Sequence, residues 1–85
     1  GKGETVKVKS SNIAKVYVKA DGTVNLNGNP IKVAEIAPAA RKMLVENDSL
    51  IFSIKTQRKA KYKMLIAVFD QLRMANAERI SFAPS

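Results

Sequence analysis

The sequence contains no cysteine and no histidine among its 85 residues. Without cysteine there is no disulfide framework and no thiolate to act as a nucleophile or metal ligand. Without histidine the chain lacks the commonest general base and the commonest metal ligand. The lack of cysteine fits a reducing cytosol and also an oxidising compartment, so it does not decide between them.

Acidic residues are also few. The seven carboxylates are scattered, and only Glu46 and Asp48 lie close together, at the predicted end of a helix where carboxylates usually face water. No phosphate-binding glycine loop, dinucleotide-binding fingerprint or nucleophile elbow is present. The sequence therefore predicts no catalytic residue, no metal site, no cofactor and no small-molecule substrate. It favours a binding or assembly domain over a hydrolase or transferase.

Long apolar runs are missing as well. No run approaches the roughly 20 residues of a membrane-spanning helix, and the N-terminus has no signal-peptide pattern. Residues 1–4 are polar, and we interpret them as a flexible N-terminus or the remnant of an expression tag. Residues 5–85 are predicted to form a single domain, because a chain of this length supports one modest core.

Positive charge is abundant: 15 basic residues against seven acidic ones give a net charge of +8. One group of lysines lies in the first twenty residues. A second group occupies residues 55–63 without any acid and comprises Lys55, Arg58, Lys59, Lys61 and Lys63. Such clusters attract anionic partners. The alternative is that these residues only keep strands and loops soluble. For residues 55–63 both interpretations stay open.

Alternating apolar residues predict three strands in the first third of the chain, at 5–9, 13–19 and 23–27. Asp21-Gly22 is predicted to form a two-residue hairpin turn, since glycine accepts positive φ. Asn27-Gly28 and then Asn29-Pro30 have turn chemistry and are predicted to end the third strand.

Helical periodicity follows. Apolar residues from Val33 to Leu44 recur on one helix face and predict a helix over about 34–47, with Pro38 tolerated only in its first turn. A second helix is predicted over 60–75, ended by Asn76 in the left-handed cap conformation. A buried strand at 50–55 separates the helices, and a last strand occupies 79–83.

The predicted order is β-β-β-α-β-α-β, which gives an α+β fold. We expect a two-layer sandwich with two helices on one face of a small mixed sheet and right-handed crossovers. Tyr62 is expected to be buried, and Phe82 to point inward. The predicted core comprises Ile36, Leu44, Ile54, Leu65, Phe69 and Ile80.

An ordered series of short motifs resembles the ExbD/TolR biopolymer-transport family over residues 6–83. The series begins with Val16-Tyr17-Val18, Asp21-Gly22 and the segment 24–28, which reads V-N-L-N-G. It continues with an apolar strand at 50–54, then Tyr62 opening a helix that carries F-D-Q-L at 69–72, and finally I-S-F at 80–82. Each motif is common by itself, and their order carries the resemblance.

The resemblance implies the periplasmic domain of an inner-membrane motor driven by the proton-motive force. It implies an N-terminal membrane helix upstream of this chain, which would carry the proton-coupling aspartate and contact an ExbB/TolQ-like partner. The domain would form a homodimer and bind a TonB/TolA-like energy transducer or peptidoglycan. This would couple proton flow to transport across the outer membrane or to its integrity.

Three positions depart from the family pattern. Lys55-Thr56 stands where many members have Ala-Asp, Ala75-Asn76 where many have Ala-Gly, and Lys9-Ser10 where Leu-Pro is common. These differences leave open the partner and the branch of the family.

Two groups of residues are predicted to bind partners. Val6, Lys7 and Val8 form a short strand that can pair with another chain, because unpaired edges seek partners. The other group is the basic cluster at 55–63. The alternative function is a small basic cytosolic nucleic-acid-binding domain. Its high charge allows this, whereas the scarcity of exposed aromatic residues for stacking disfavours it.

Overall fold

The computed structural model describes residues 12–83. Their secondary structure comprises β1 (Ile13–Val18), β2 (Val24–Leu26), β3 (Asn29–Ile31), a 3-10 turn (Val33–Glu35), α1 (Ile36–Glu46), β4 (Ile51–Thr56), α2 (Tyr62–Met74) and β5 (Ile80–Ala83). The two predicted helices and the strands near 13–19, 23–27, 50–55 and 79–83 are confirmed. The predicted strand at 5–9 lies outside the described residues.

The strands form one mixed sheet in the order β3-β2-β1-β4-β5. β1 pairs antiparallel with β2, and β2 pairs antiparallel with β3. The two helix-containing connections bring β4 parallel to β1 and β5 parallel to β4. This arrangement confirms the predicted α+β class with a mixed sheet.

Both helices cover the same face of the sheet. The buried cluster joins every second residue of β1 to residues of α1 and α2; it contains Ala14, Val16, Val18, Ile36, Ala37, Ala40, Val68 and Leu72. Phe52 and Ile54 of β4 complete its centre. Since successive strand residues point to opposite faces, the residues between them lie on the face that the helices leave open. Neither helix has the length and apolar character needed to cross a membrane.

The first hairpin turn differs from the prediction, and the second lies where turn residues were predicted. Asp21 and Gly22 belong to a three-residue loop, in which the Gly22 N–H donates to the Lys19 carbonyl at 3.1 Å. The two-residue turn is Asn27-Gly28, where both φ angles are positive, at 52° and 86°. The strand predicted at 23–27 does end there, since β2 stops at Leu26, but this turn brings 29–31 back as β3, an edge strand that the sequence did not predict. Proline is acceptable there because β3 is an edge strand.

Asp21 stabilises the first hairpin loop. Its Oδ1 accepts hydrogen bonds from the Thr23 hydroxyl at 2.6 Å and from the Thr23 N–H at 3.0 Å. These bonds, led by the one from the hydroxyl, hold the pKa of the Asp21 carboxyl below its ordinary value. The hydrogen bonds favour the charged form because both donors point at the carboxylate.

The backbone N–H groups at the start of α1 have acceptors although no earlier turn of α-helix supplies them. The Ile36 N–H donates to the Val33 carbonyl of the 3-10 turn. The Ala37 N–H donates to Oε1 of Gln71 on α2, at 3.0 Å. Pro38 has no N–H, so its place in this turn leaves no donor without a partner. The predicted location of Pro38 in the first turn is confirmed.

Of the six residues predicted to form the core, two are fully buried and four are half-buried. Ile36 and Ile54 are each 1% exposed. The other four predicted core residues are half-buried: Leu44, Leu65, Phe69 and Ile80. The expectation that Tyr62 is buried is wrong, because it opens α2 at the periphery and is 73% exposed. Phe82 contacts Phe69, yet it is 58% exposed because β5 is an edge strand.

Candidate partner-binding surfaces

Within residues 12–83 no polar or charged side chain is buried, and no group of acidic residues is arranged to hold a metal ion. The candidate sites are therefore surfaces. Three of them stand out: the basic connector between β4 and α2, the edge of the sheet at β5, and the face of the sheet opposite the helices.

The first surface is the basic rim, which comprises Lys55, Arg58, Lys59, Lys61 and Lys63. All five side chains are exposed. Gln57 fixes the connector: its N–H donates to the Val18 carbonyl at 2.7 Å, and its Oε1 accepts from the Ala20 N–H at 2.8 Å. The rim is therefore attached to the end of β1 by a backbone hydrogen bond and to the loop after β1 by a side-chain hydrogen bond, while its charged groups stay in solvent.

Lys59 occupies an unusual position in the basic rim. The Ala60 N–H donates to the Gln57 carbonyl at 2.9 Å, which closes a tight turn, and Lys59 has a φ of 72°. This is the third position of a type II turn, where glycine or asparagine is favoured. A lysine there costs roughly 1–2 kcal/mol relative to an ordinary backbone conformation.

The basic rim divides into two parts. Lys55 lies on β4, whereas the other four cations cluster around the start of α2. Lys59 and Lys63 do not share a helix face, because α2 begins at Tyr62 and Lys59 precedes it in a turn. Lys61 is the N-cap residue and provides no side-chain cap. These cations therefore add to the positive end of the helix macrodipole.

The second surface is the β5 edge, formed by β5 and the aromatic and aliphatic side chains beside it. Among the described strands, β5 is paired only with β4. The rings of Phe69 and Phe82 are 6.0 Å apart, and the Arg73 guanidinium lies 5.8 Å from the centre of the Phe69 ring. Tyr62 and Ile66 are also exposed, at 73% and 38%. These side chains lie on one side of α2, and the Phe69–Phe82 contact joins that side to β5.

Sequence reasoning missed the β5 edge as a surface. One signal was available, since Tyr62, Ile66, Phe69 and Arg73 recur every three or four residues along one side of α2. Helical periodicity instead predicts that Tyr62 is buried and that Phe69 belongs to the core. Only the position of β5 at the end of the sheet shows that this side of α2 lies at the rim.

The third surface is the open face, which we define by Lys15, Tyr17, Asn25, Ser53 and Lys55. Cross-strand pairing sets Tyr17 between Asn25 and Lys55, and sets Lys15 beside Ser53. These residues line a concave volume of about 510 Å³, together with Ile13, Val16, Gly28 and Ala83. The open face was not singled out from sequence, although its residues are the alternate positions of the predicted strands.

The remaining predicted binding residues lie outside the described part of the chain; they are Val6, Lys7 and Val8. Their pairing with another chain therefore stays a prediction.

No curated protein matches the sequence. A family model described as "Biopolymer transport protein ExbD/TolR" matches residues 2–85, which is all but the first residue. Together with the α+β sandwich, this match shows that the chain belongs to the ExbD/TolR family.

Proposed function

We propose that the chain is the periplasmic domain of an inner-membrane motor driven by the proton-motive force. In this proposal an N-terminal helix upstream of the chain anchors the domain and contacts an ExbB/TolQ-like partner. The domain itself is not an enzyme. It dimerises and binds a TonB/TolA-like transducer segment or peptidoglycan. The observation that carries the proposal is the family match over almost the whole chain.

The surfaces support a binding role. The basic rim has four cations around one helix start, and one of them, Lys59, adopts a backbone conformation that glycine would adopt at lower cost. Strained backbone is often retained where it contributes to function. We propose that the rim attracts carboxylates, either of an acidic transducer segment or of cell-wall peptide stems.

A charge-reversed rim tests this proposal. We expect the Lys59→Glu/Lys63→Glu variant to bind peptidoglycan fragments or a transducer peptide more weakly than the wild type. The matched control is Lys32→Glu/Lys42→Glu, which changes two exposed lysines elsewhere and lowers the net charge equally. If both double variants bind these ligands as tightly as the wild type does, the basic rim does not contribute to binding.

The same titrations, repeated with DNA over a range of salt concentrations, examine the nucleic-acid alternative. Tyr62 gives this alternative some support, since an exposed aromatic ring beside several cations can stack on a base. Tight DNA binding with a steep salt dependence would favour it. We expect weak DNA binding that the control variant reduces as much as the rim variant does.

Dimerisation is the other part of the proposal. We propose that it uses strand pairing, through Val6 and Val8 or through the β5 edge, because available strand edges recruit further strands. Sedimentation equilibrium should show a dimer that Val6→Lys/Val8→Lys or Phe82→Lys weakens. Val45→Lys is the control, since Val45 is an 86% exposed apolar residue on α1. A wild-type chain that stays monomeric at millimolar concentration would refute dimerisation.

A further inference from the structure

We propose that the open face binds an extended acidic peptide of a protein partner, with carboxylates at every second residue. The inference deepens the proposed function and rests on it in one respect, namely that the partner is a protein segment. It concerns a surface distinct from the start of α2 and shares only Lys55 with the basic rim.

The sheet holds the five side chains of the open face on one side. Tyr17 of β1 is opposite Asn25 of β2 and Lys55 of β4, and Lys15 is opposite Ser53. The helices pack on the other side, against the residues that alternate with these. Lys15 and Lys55 are exposed, and the other three are half-buried. A ligand on this face would therefore contact the two exposed lysine side chains first and the half-buried side chains between them next.

The charge on this side of the sheet has one sign. Its described strand positions carry two lysines and no carboxylate; they are Ile13, Lys15, Tyr17, Asn25, Pro30, Ile51, Ser53, Lys55, Ser81 and Ala83. In a protein of net charge +8, such a surface attracts anionic groups and repels cationic ones. Charge complementarity therefore selects an acidic occupant.

The spacing of the two lysines selects an extended chain. Lys15 and Lys55 lie on neighbouring strands and are offset by two residues. With strands about 4.8 Å apart and a rise of about 3.3 Å per residue, their Cα atoms are about 8 Å apart. Side chains at i and i+2 of an extended peptide lie about 6.6–7 Å apart on one side. Flexible lysine side chains bridge the small difference, so two such carboxylates reach both ammonium groups.

The other residues of the open face fit a peptide better than a nucleic acid. Asn25 and Ser53 offer hydrogen-bonding groups that suit the polar side chains of a peptide. Ile13 lies two residues from Lys15 along β1 and can contact an apolar side chain two residues beyond the carboxylates. The face carries one aromatic residue, Tyr17, whereas platforms for single-stranded nucleic acids stack successive bases on several.

The probe is a synthetic peptide in which glutamate and threonine alternate before a leucine. Its control is an isomer with the same composition and adjacent glutamates. With the full 85-residue chain, we expect NMR amide shifts at Lys15, Tyr17, Asn25, Ser53 and Lys55 on adding the alternating peptide. The isomer should bind more weakly, because adjacent side chains of an extended chain point to opposite sides.

Substitutions give the second readout. Lys15→Gln/Lys55→Gln should weaken binding of the alternating peptide roughly two- to thirty-fold, as expected for two exposed ion pairs. Lys32→Gln/Lys42→Gln removes the same charge elsewhere and should leave binding within about two-fold. Equal binding of the two isomers, shifts outside the open face, or tighter binding of a single-stranded oligonucleotide would overturn the inference.

The rim variant separates this inference from the proposed function. If Lys59→Glu/Lys63→Glu abolishes peptide binding while Lys15→Gln leaves it intact, the rim binds the partner and the open-face inference is wrong. If the chain neither dimerises nor binds any transducer peptide or peptidoglycan fragment, the proposed function fails. Binding of the alternating peptide at the open face would still stand in that case.

Discussion

Replacing Gln71 by leucine removes the side-chain acceptor that completes the start of α1. Gln71 Oε1 accepts the Ala37 N–H at 3.0 Å across the contact between the two helices. Ala37 is only 2% exposed, so water cannot readily take the place of the lost acceptor. Leucine resembles glutamine in size and is a good helix former, so the change removes this hydrogen bond and, besides it, only the weak exposed one from Gln71 Nε2 to Met74 Sδ at 4.0 Å.

The expected loss follows from the burial of the donor. Leaving a buried N–H without a partner costs about 1–3 kcal/mol, and we expect about 2 kcal/mol because Gln71 is half-buried. For a domain of this size, 1 kcal/mol lowers Tm by about 4–8 °C. The Gln71→Leu variant should therefore melt about 8–16 °C below the wild type.

Urea denaturation followed by far-ultraviolet circular dichroism measures the free energy of unfolding of both proteins. Gln71→Glu is the matched control: it keeps an acceptor oxygen, and its charge suits the N-terminus of α1. We expect its free energy of unfolding to stay within about 0.5 kcal/mol of the wild-type value at neutral pH. A Gln71→Leu variant as stable as the wild type, or a Gln71→Glu variant as unstable as Gln71→Leu, would refute the reasoning.

Three further predictions concern the turns. Because folding lowers the pKa of Asp21, its contribution to stability is present above its ordinary pKa of about 3.9 and is lost as the pH falls through the lower folded value. Asp21→Asn should therefore flatten the acid limb of a pH-stability curve, and an unchanged limb would contradict this. Lys59→Gly relieves the left-handed strain but loosens the unfolded chain, so urea titration should show a gain of at most about 1 kcal/mol rather than a loss. Asn27→Ala removes the Oδ1 that accepts the Lys15 N–H at 2.8 Å, and it leaves alanine at positive φ. Calorimetry should show that the free energy of unfolding falls by about 1–2 kcal/mol. A variant as stable as the wild type would count against this role of the turn.

Local chemistry predicted the helices well. Apolar residues at helical spacing, Pro38 near one start and Asn76 near one end were enough to place both helices within about two residues of their observed bounds. Asn76 has a φ of 65°, as the predicted left-handed cap requires. These features depend on residues within one or two turns of each other, so the sequence alone specifies them.

The third strand shows where local reasoning ends. Asn29-Pro30 has turn chemistry, and proline is rare in strands, so the sequence predicted the end of the strand at 23–27 and no further strand before the first helix. The Asn27-Gly28 turn instead folds 29–31 against β2, at an edge where the missing proline N–H has no partner to lose. Whether a proline is acceptable depends on the position of its strand in the sheet, which the local sequence does not state.

The sequence by itself determined the fold class, the family resemblance and the charge of the 55–63 cluster, because each of these depends on residue types and their short-range order. The tertiary structure alone decided which surfaces are available. Tyr62 and Phe82 are exposed because nothing in the described chain covers the α2 flank beside β5. Lys15 and Lys55 share one face because β1 and β4 pair in parallel register, although they are forty residues apart. Exposure and proximity depend on which distant elements pack together, and the amino-acid pattern of any single element does not contain that information.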